Sequence, residues 1–270
     1  MPLHLNSITN DSQNADFLAW LLQDELNAAD AVFATEDGGF IHLGKGLFDA
    51  KTGEALGRYI FTLQKNDERK ALESIDLDII LDNEEDTLLE FLSKRPESSE
   101  SNEYYDVVAP AQDQHLLIET VNRYCVAKEI KGTTQPVQVS AFPFELTVYE
   151  DIDAFNRAIG FGERKRVGNT DFYVDGLGST FAAPGGVFGA KGNALYSFMV
   201  GTVKSFKEHS IRLGKQTFDV VIAQLDTAVG NLPTMMGKEV FDLANLKENC
   251  VVGMNADIKA DLANYSAWKM

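Results

Sequence analysis

The chain has 270 residues, 44% hydrophobic and 24% charged, which excludes a disordered chain and is enough to bury roughly 75% of its unfolded surface without a disulfide or metal staple. Its net charge of −17 repels nucleic acid and anionic membranes and favours a basic partner. Residues 1–17 hold no basic stretch leading into an apolar one, and no run of about 18 apolar residues occurs, so neither a secretory leader nor a membrane helix is expected and the cytoplasm is the expected location.

Phe17, Leu18, Leu21, Leu22 and Leu26 recur at helical spacing behind Asn10, Asp11 and Ser12, which predicts an amphipathic helix over about 14–28. Residues 31–64 alternate short apolar runs with Asp-Gly-Gly and Lys-Thr-Gly turns and predict a three-stranded meander. A short helix over 66–74, a strand over 77–81 and a helix over 84–94 follow, the last capped by Asp82 or Asn83 with acids in its first turn, where they favour the helix dipole. Proline, serines and acids over 96–106 predict an exposed loop, and Leu117, Val121, Tyr124, Cys125 and Lys128 predict a helix over 113–128, with an extended conformation over 118–126 as the alternative.

Beyond Gly132 the texture changes. Residues 137–150 predict a strand, and 151–159 a helix capped by Asp151 and closed by Gly160; almost everything later reads as strands and turns. The clearest prediction is a hairpin in 194–225, turning at Leu213-Gly214-Lys215, followed by strand-like runs at 235–246 and 249–262. The expected fold is therefore α+β: an acidic mixed helix and strand part, 1–134, then a β-rich part, 135–270. Strand count and spacing make a small barrel of the oligonucleotide-binding type a candidate for the second part. Charge divides at nearly the same place, with 28 acidic against 11 basic residues in 1–150 and 13 against 13 in 151–270.

Motif-like stretches mostly fail on spacing. Residues 176–192 hold six glycines, but neither a phosphate-binding GxxxxGK nor a GxGxxG pattern. Gly189-Ala190-Lys191-Gly192 has the GxxG spacing of a KH clamp, yet that clamp joins two helices, whereas here Pro184 and two glycines precede and a strand follows. Asp49-Ala50-Lys51-Thr52-Gly53 reads as a hairpin turn. The acids Asp76, Asp78 and Asp82 to Asp86 lack the glycine and terminal glutamate of a calcium loop. His4, His42, His115 and His209 form no local pattern, and two cysteines, Cys125 and Cys250, match no disulfide framework or zinc site. No cofactor or metal is expected.

Three functional expectations remain. The first is a non-enzymatic protein of inhibitor, immunity or adaptor type, meeting a basic protein partner through the acidic surface at Asp82, Glu84, Glu85 and Asp86. The second is a binding module for a small ligand or single-stranded nucleic acid at Tyr196, Phe198, Lys204 and Phe206, where simple alternation puts aromatic rings and bases on one strand face. A third, an enzyme without a sequence motif, requires a concave polar pocket with titratable groups close together.

Overall fold

The computed structural model describes residues 7–9, 31–34, 40–66, 71–83, 85–96, 98, 103–121, 130–161, 164–167, 170–173, 176–185 and 195–262. The predicted helix over 14–28 and the GxxG segment lie outside them. The described chain is built almost wholly of strands. In order these are β1 (Ala31–Ala34), β2 (Phe40–Phe48), β3 (Ala55–Asn66), β4 (Ala71–Leu81), β5 (Thr87–Lys94), β6 (Glu103–Ala109), β7 (Gln114–Thr120) and β8 (Thr134–Tyr149). A helix, α1 (Ile152–Ile159), precedes β9 (Arg164–Val167), β10 (Thr170–Tyr173), β11 (Ala182–Pro184), β12 (Ser197–Leu213), β13 (Gln216–Thr227), β14 (Gly230–Gly237) and β15 (Val251–Leu262).

The α+β expectation is thus corrected. Residues 87–94 form a strand because Leu89 and Phe91 point into the core while Leu88 and Glu90 point out, a period of two that the leucine cluster also allows to be read as helical. Residues 103–109 pair with 114–120 instead of forming a loop and a helix: Tyr105, Val107 and Ala109 alternate inward, and Leu116, Leu117 and Ile118 are buried on both faces, as a strand between two layers requires. Residues 71–74, expected in a helix, begin β4. The helix at 152–159 forms as expected. Asp151 Oδ1 accepts from the Ala154 amide at 2.7 Å, and Gly160, at φ 76°, ends the helix in the left-handed conformation that suits glycine.

β1–β4 form an antiparallel sheet, and β9 and β10 a two-stranded ribbon. Eight of the remaining nine strands pair in two closed circuits that share the antiparallel couple β8 and β15, and β11 adds to β12 outside the circuits. One runs β12-β13-β14-β8-β15 and back to β12; the other runs β15-β7-β6-β5-β8. Closure removes the unpaired edges that a nine-stranded open sheet would carry and gives a barrel-like body. Its interior is a single apolar cluster that includes Leu89, Phe91, Leu116, Val139, Val203, Leu225, Met254 and Ile258.

The four-stranded sheet lies over the outside of this body. Leu47, Tyr59, Phe61, Leu77 and Ile79 pack against Phe142 of β8, Ile211, Phe218 and Val220 of the β12–β13 hairpin, and Met235 of β14. Polar groups complete the seam. The Ser140 hydroxyl accepts from the Leu81 amide at 2.9 Å, and a buried Lys259 ammonium meets Asp78, Glu119 and Asp257 at 2.8, 2.5 and 3.4 Å. No helix among the described residues is long and apolar enough to cross a membrane.

Candidate functional site

The acidic connection between β4 and β5 is fixed at both ends. Asn83 Nδ2 donates to the Asn231 carbonyl at 3.0 Å and the Thr87 hydroxyl to the Val229 carbonyl at 3.1 Å, which ties residues 82–87 to the turn between β13 and β14. Glu85 and Asp86 are exposed, as is Asp82 at the start of the connection; Glu84 lies outside the described residues. The segment is therefore a strand-to-strand link and not the first turn of a helix, so its acids gain nothing from a helix dipole and face solvent.

Glu85 and Asp86 line an open groove of about 550 Å³ together with Glu90, Leu88, Pro110 and Val229. Among the described residues no lysine, arginine or histidine lines it. Leu88 is 59% exposed, the most exposed large hydrophobic residue among those described, because the alternation that buries Leu89 and Phe91 turns it outward. Asp82 stands on the far side of the link and lines a second cleft, of about 660 Å³, with Lys204, Phe206, Lys207, His209 and Gln224. The structure brings Glu85 and Asp86 together and sends Asp82 to the other flank.

The four ligand-binding candidates, Tyr196 just before β12 and three on it, divide into two pairs. Tyr196 packs edge-on against Phe144, and Phe198 lies among Phe155 of α1 and Phe181 in a small apolar cluster. Lys204 and Phe206 lie six to ten residues further on, roughly 20–30 Å along an extended strand, and line the second cleft. Between the pairs the β12–β13 register slips: Val203 faces Leu225 but Ser205 faces Gln224, so Lys204 is the extra residue of a bulge. The bulge exchanges the two faces, and Ser205, Lys207 and His209 take the side that alternation assigns to Lys204 and Phe206. The expected continuous aromatic and basic face does not exist; Lys204 is ion-paired with Asp226 at 3.3 Å.

A buried histidine and carboxylate, 160 positions apart, meet where the small sheet touches the hairpin. Asp49 Oδ2 lies 3.1 Å from His209 Nδ1 and accepts from the Ser210 amide at 3.0 Å; Oδ1 accepts from the Lys51 and Thr52 amides at 2.9 and 2.7 Å. Those backbone donors, Thr52 first, hold the Asp49 carboxyl well below the ordinary carboxylate range. The 49–53 segment is the turn expected, with Gly53 at φ 73°. Chemically the pair can orient an imidazole, but the adjacent Ser210 hydroxyl donates to Asp219 and is not offered to the ring. Backbone bonding from Ala50 N to Ser210 O at 2.6 Å makes the same contact a clasp between the two sheets.

Sequence reasoning missed Leu88 and Glu90, hidden by the helical reading of 84–94, and the Asp49–His209 pair, for which spacing carries no signal. Cys250 is buried and free, while Cys125 lies outside the described residues. Among the described residues no group of three or more His, Cys, Asp or Glu is arranged to hold a metal ion. Comparison of the chain with family models, with curated proteins and with solved structures finds no match.

Proposed function

We propose that the protein acts by association, its acidic groove receiving a basic and partly apolar segment of another protein. The observation that carries this reading is the composition of the groove: among the described residues its lining holds three carboxylate residues, an exposed leucine and no cationic side chain. Carboxylates alone on a surface serve solubility equally well, whereas carboxylates around an exposed apolar residue complement a lysine- or arginine-bearing segment that also buries hydrocarbon. The bonds from Asn83 and Thr87 fix the link before a partner arrives, which lowers the ordering cost of binding. The acid excess of residues 1–150 supports rapid, salt-sensitive capture.

The test is capture of the tagged full chain's partners from native lysate at low and moderate salt, run in parallel with the Leu88→Asp and Glu85→Gln/Asp86→Asn variants. A basic protein should be retained at low salt and released as salt rises. Binding should weaken roughly two- to fivefold for each neutralised acid and about tenfold or more for Leu88→Asp. A protein retained equally by wild type and by Leu88→Asp would place the interface elsewhere, and retention of none would end the reading.

A further inference from the structure

The second circuit closes along only part of β5. That strand pairs with β8 from Thr87 but with β6 only from Glu90, which lies opposite Val108. Phe91 spends its backbone groups on the β8 side: its amide donates to the Thr133 carbonyl at 2.9 Å, and its carbonyl accepts from the Gly132 amide at 2.6 Å. By alternation Glu90 and Leu88 direct theirs to the β6 side. The register that sets Glu90 against Val108 would set Leu88 against Pro110. Proline has no N–H to give, and residues 110–113 already form the turn into β7, where the Gln112 amide donates to the Ala109 carbonyl at 3.2 Å. The amide and carbonyl of Leu88 therefore reach the wall of the acidic groove, and neither has a hydrogen-bond partner among the described residues.

The side chains around this short open edge follow the strand period. Asp86, just ahead of β5, then Leu88 and Glu90 recur at a spacing of two, and all three are exposed, while Leu89 between them is buried in the core. On the other flank Pro136 of β8 stands opposite Leu88, at a position where no ladder bond is needed, so β8 holds this part of β5 in place and leaves its outer edge open. An open edge invites a further strand. A second copy of this chain, at net charge −17, would bring acids against acids, whereas a basic strand would meet its opposite.

We propose that the acidic groove receives its partner as an added β-strand, antiparallel to β5, whose central residue exchanges backbone hydrogen bonds with Leu88 and whose sequence runs basic-x-apolar-x-basic. The inference rests on the association reading above and specifies its mode. The apolar side chain stands beside Leu88; one basic residue lies opposite Asp86, and the other reaches diagonally to Glu90, whose direct neighbour is Val108. Main-chain bonds fix the register, and the alternate side chains supply the selectivity.

The full chain is titrated at low salt with the capped peptide Gly-Lys-Ser-Val-Ser-Lys-Gly, with the same peptide N-methylated at valine, and with the reordered Gly-Lys-Lys-Val-Ser-Ser-Gly, while hydrogen exchange of the Leu88 amide is followed by NMR. The parent peptide should saturate one site and slow exchange at Leu88 about tenfold or more. N-methylation keeps charge and side chains but removes the N–H offered to the Leu88 carbonyl, and should weaken binding at least about tenfold. The reordered peptide, of equal charge, should bind about fivefold more weakly. Leu88→Ala should weaken the parent peptide yet keep the N-methyl penalty, because that penalty belongs to the backbone. Equal affinities for the parent and N-methylated peptides, or unchanged Leu88 exchange at saturation, would overturn strand addition, as would tighter binding of a basic amphipathic helix. No binding of the parent peptide, with lysate capture still dependent on Leu88, would overturn the strand mode alone; loss of both would end the association reading as well.

Discussion

The two faces of β15 are equally dry and chemically opposite. Ala256, Ile258, Ala260 and Leu262 fill the interior of the double circuit, while Asp257, Lys259 and Asp261, alternating with them, lie in the seam beneath the four-stranded sheet; none exceeds 6% exposure. The apolar face is matched to its surroundings by volume, so it accepts any filling of similar size. The ionic face is matched by partner: Lys259 has Asp78, Glu119 and Asp257, and Arg58 pairs with Asp261. A buried pair gains little net stability over a hydrophobic filling but loses much when one member is removed. The seam therefore specifies how the small sheet sits, and that seating is what brings Asp49 to His209.

The largest contrast between the two faces is expected from Lys259→Met against Ile258→Val. Lys259→Met leaves three clustered carboxylates without their ammonium and should cost about 3–5 kcal/mol in denaturant unfolding, whereas Ile258→Val should cost roughly 0.5–1.5 kcal/mol. The pH response distinguishes charge from packing. Crowded carboxylates that have lost the Lys259 ammonium hold their protons more tightly in the folded state than with it, so the Lys259→Met variant should regain stability relative to wild type as pH falls from 7 towards 5 and lose it as pH rises. A Lys259→Met protein with no such pH dependence would mean that packing, not charge, sets the seam.

Where the sequence was legible, the signal was local. Asp151 and Gly160 bound α1 because a carboxylate three residues before an amide and a glycine in the left-handed region act within one turn. The β12–β13 hairpin is legible for the same reason, through Gly214. β5 and β7 were not legible: Leu88, Leu89, Phe91 and Leu92, or Leu116, Leu117 and Ile118, fit a helix stripe or a strand, and the choice is made by β8 and β15, partners distant in the chain. The exposure of Asp82, Glu85 and Asp86 was legible because charged residues face solvent in any secondary structure, although Asp82 is parted from Glu85 and Asp86 by the link that carries them. The ligand face failed at one residue, since the bulge at Lys204 has no glycine or proline to announce it. The Asp49–His209 pair has no sequence signal, because it exists only where two sheets meet.

A smaller effect separates the small sheet from the seam. His42 on β2 is buried, with Nδ1 3.1 Å from the Thr62 hydroxyl, and burial lowers its pKa from 6.5 to about 4. The unfolded chain therefore takes up a proton below about 6.5 that the folded chain accepts only near 4, so stability falls as pH falls through that window, by about 3 kcal/mol in all. In unfolding titrations from pH 7 to 4, His42→Gln should flatten this slope while leaving the opposite-signed response of Lys259→Met intact. If His42→Gln keeps the full wild-type slope, another group carries it.

The clasp at Asp49 acts in a lower window. Its folded-state carboxyl is held well below the ordinary 3.8, chiefly by the Thr52 amide, then by the Ser210 and Lys51 amides. Its contribution to stability is therefore complete above about 4 and lost as pH falls further, after His42 has already been protonated. Asp49→Asn keeps an oxygen for the Lys51 and Thr52 amides but presents an amide nitrogen, which cannot accept, to the Ser210 N–H. The variant should be modestly less stable at pH 7 and should lose the acid sensitivity below pH 4 while retaining the slope from 6.5 to 4. An unchanged acid limb in Asp49→Asn would show that the turn is held by its backbone bonds alone, and that the carboxylate adds only the orientation of His209.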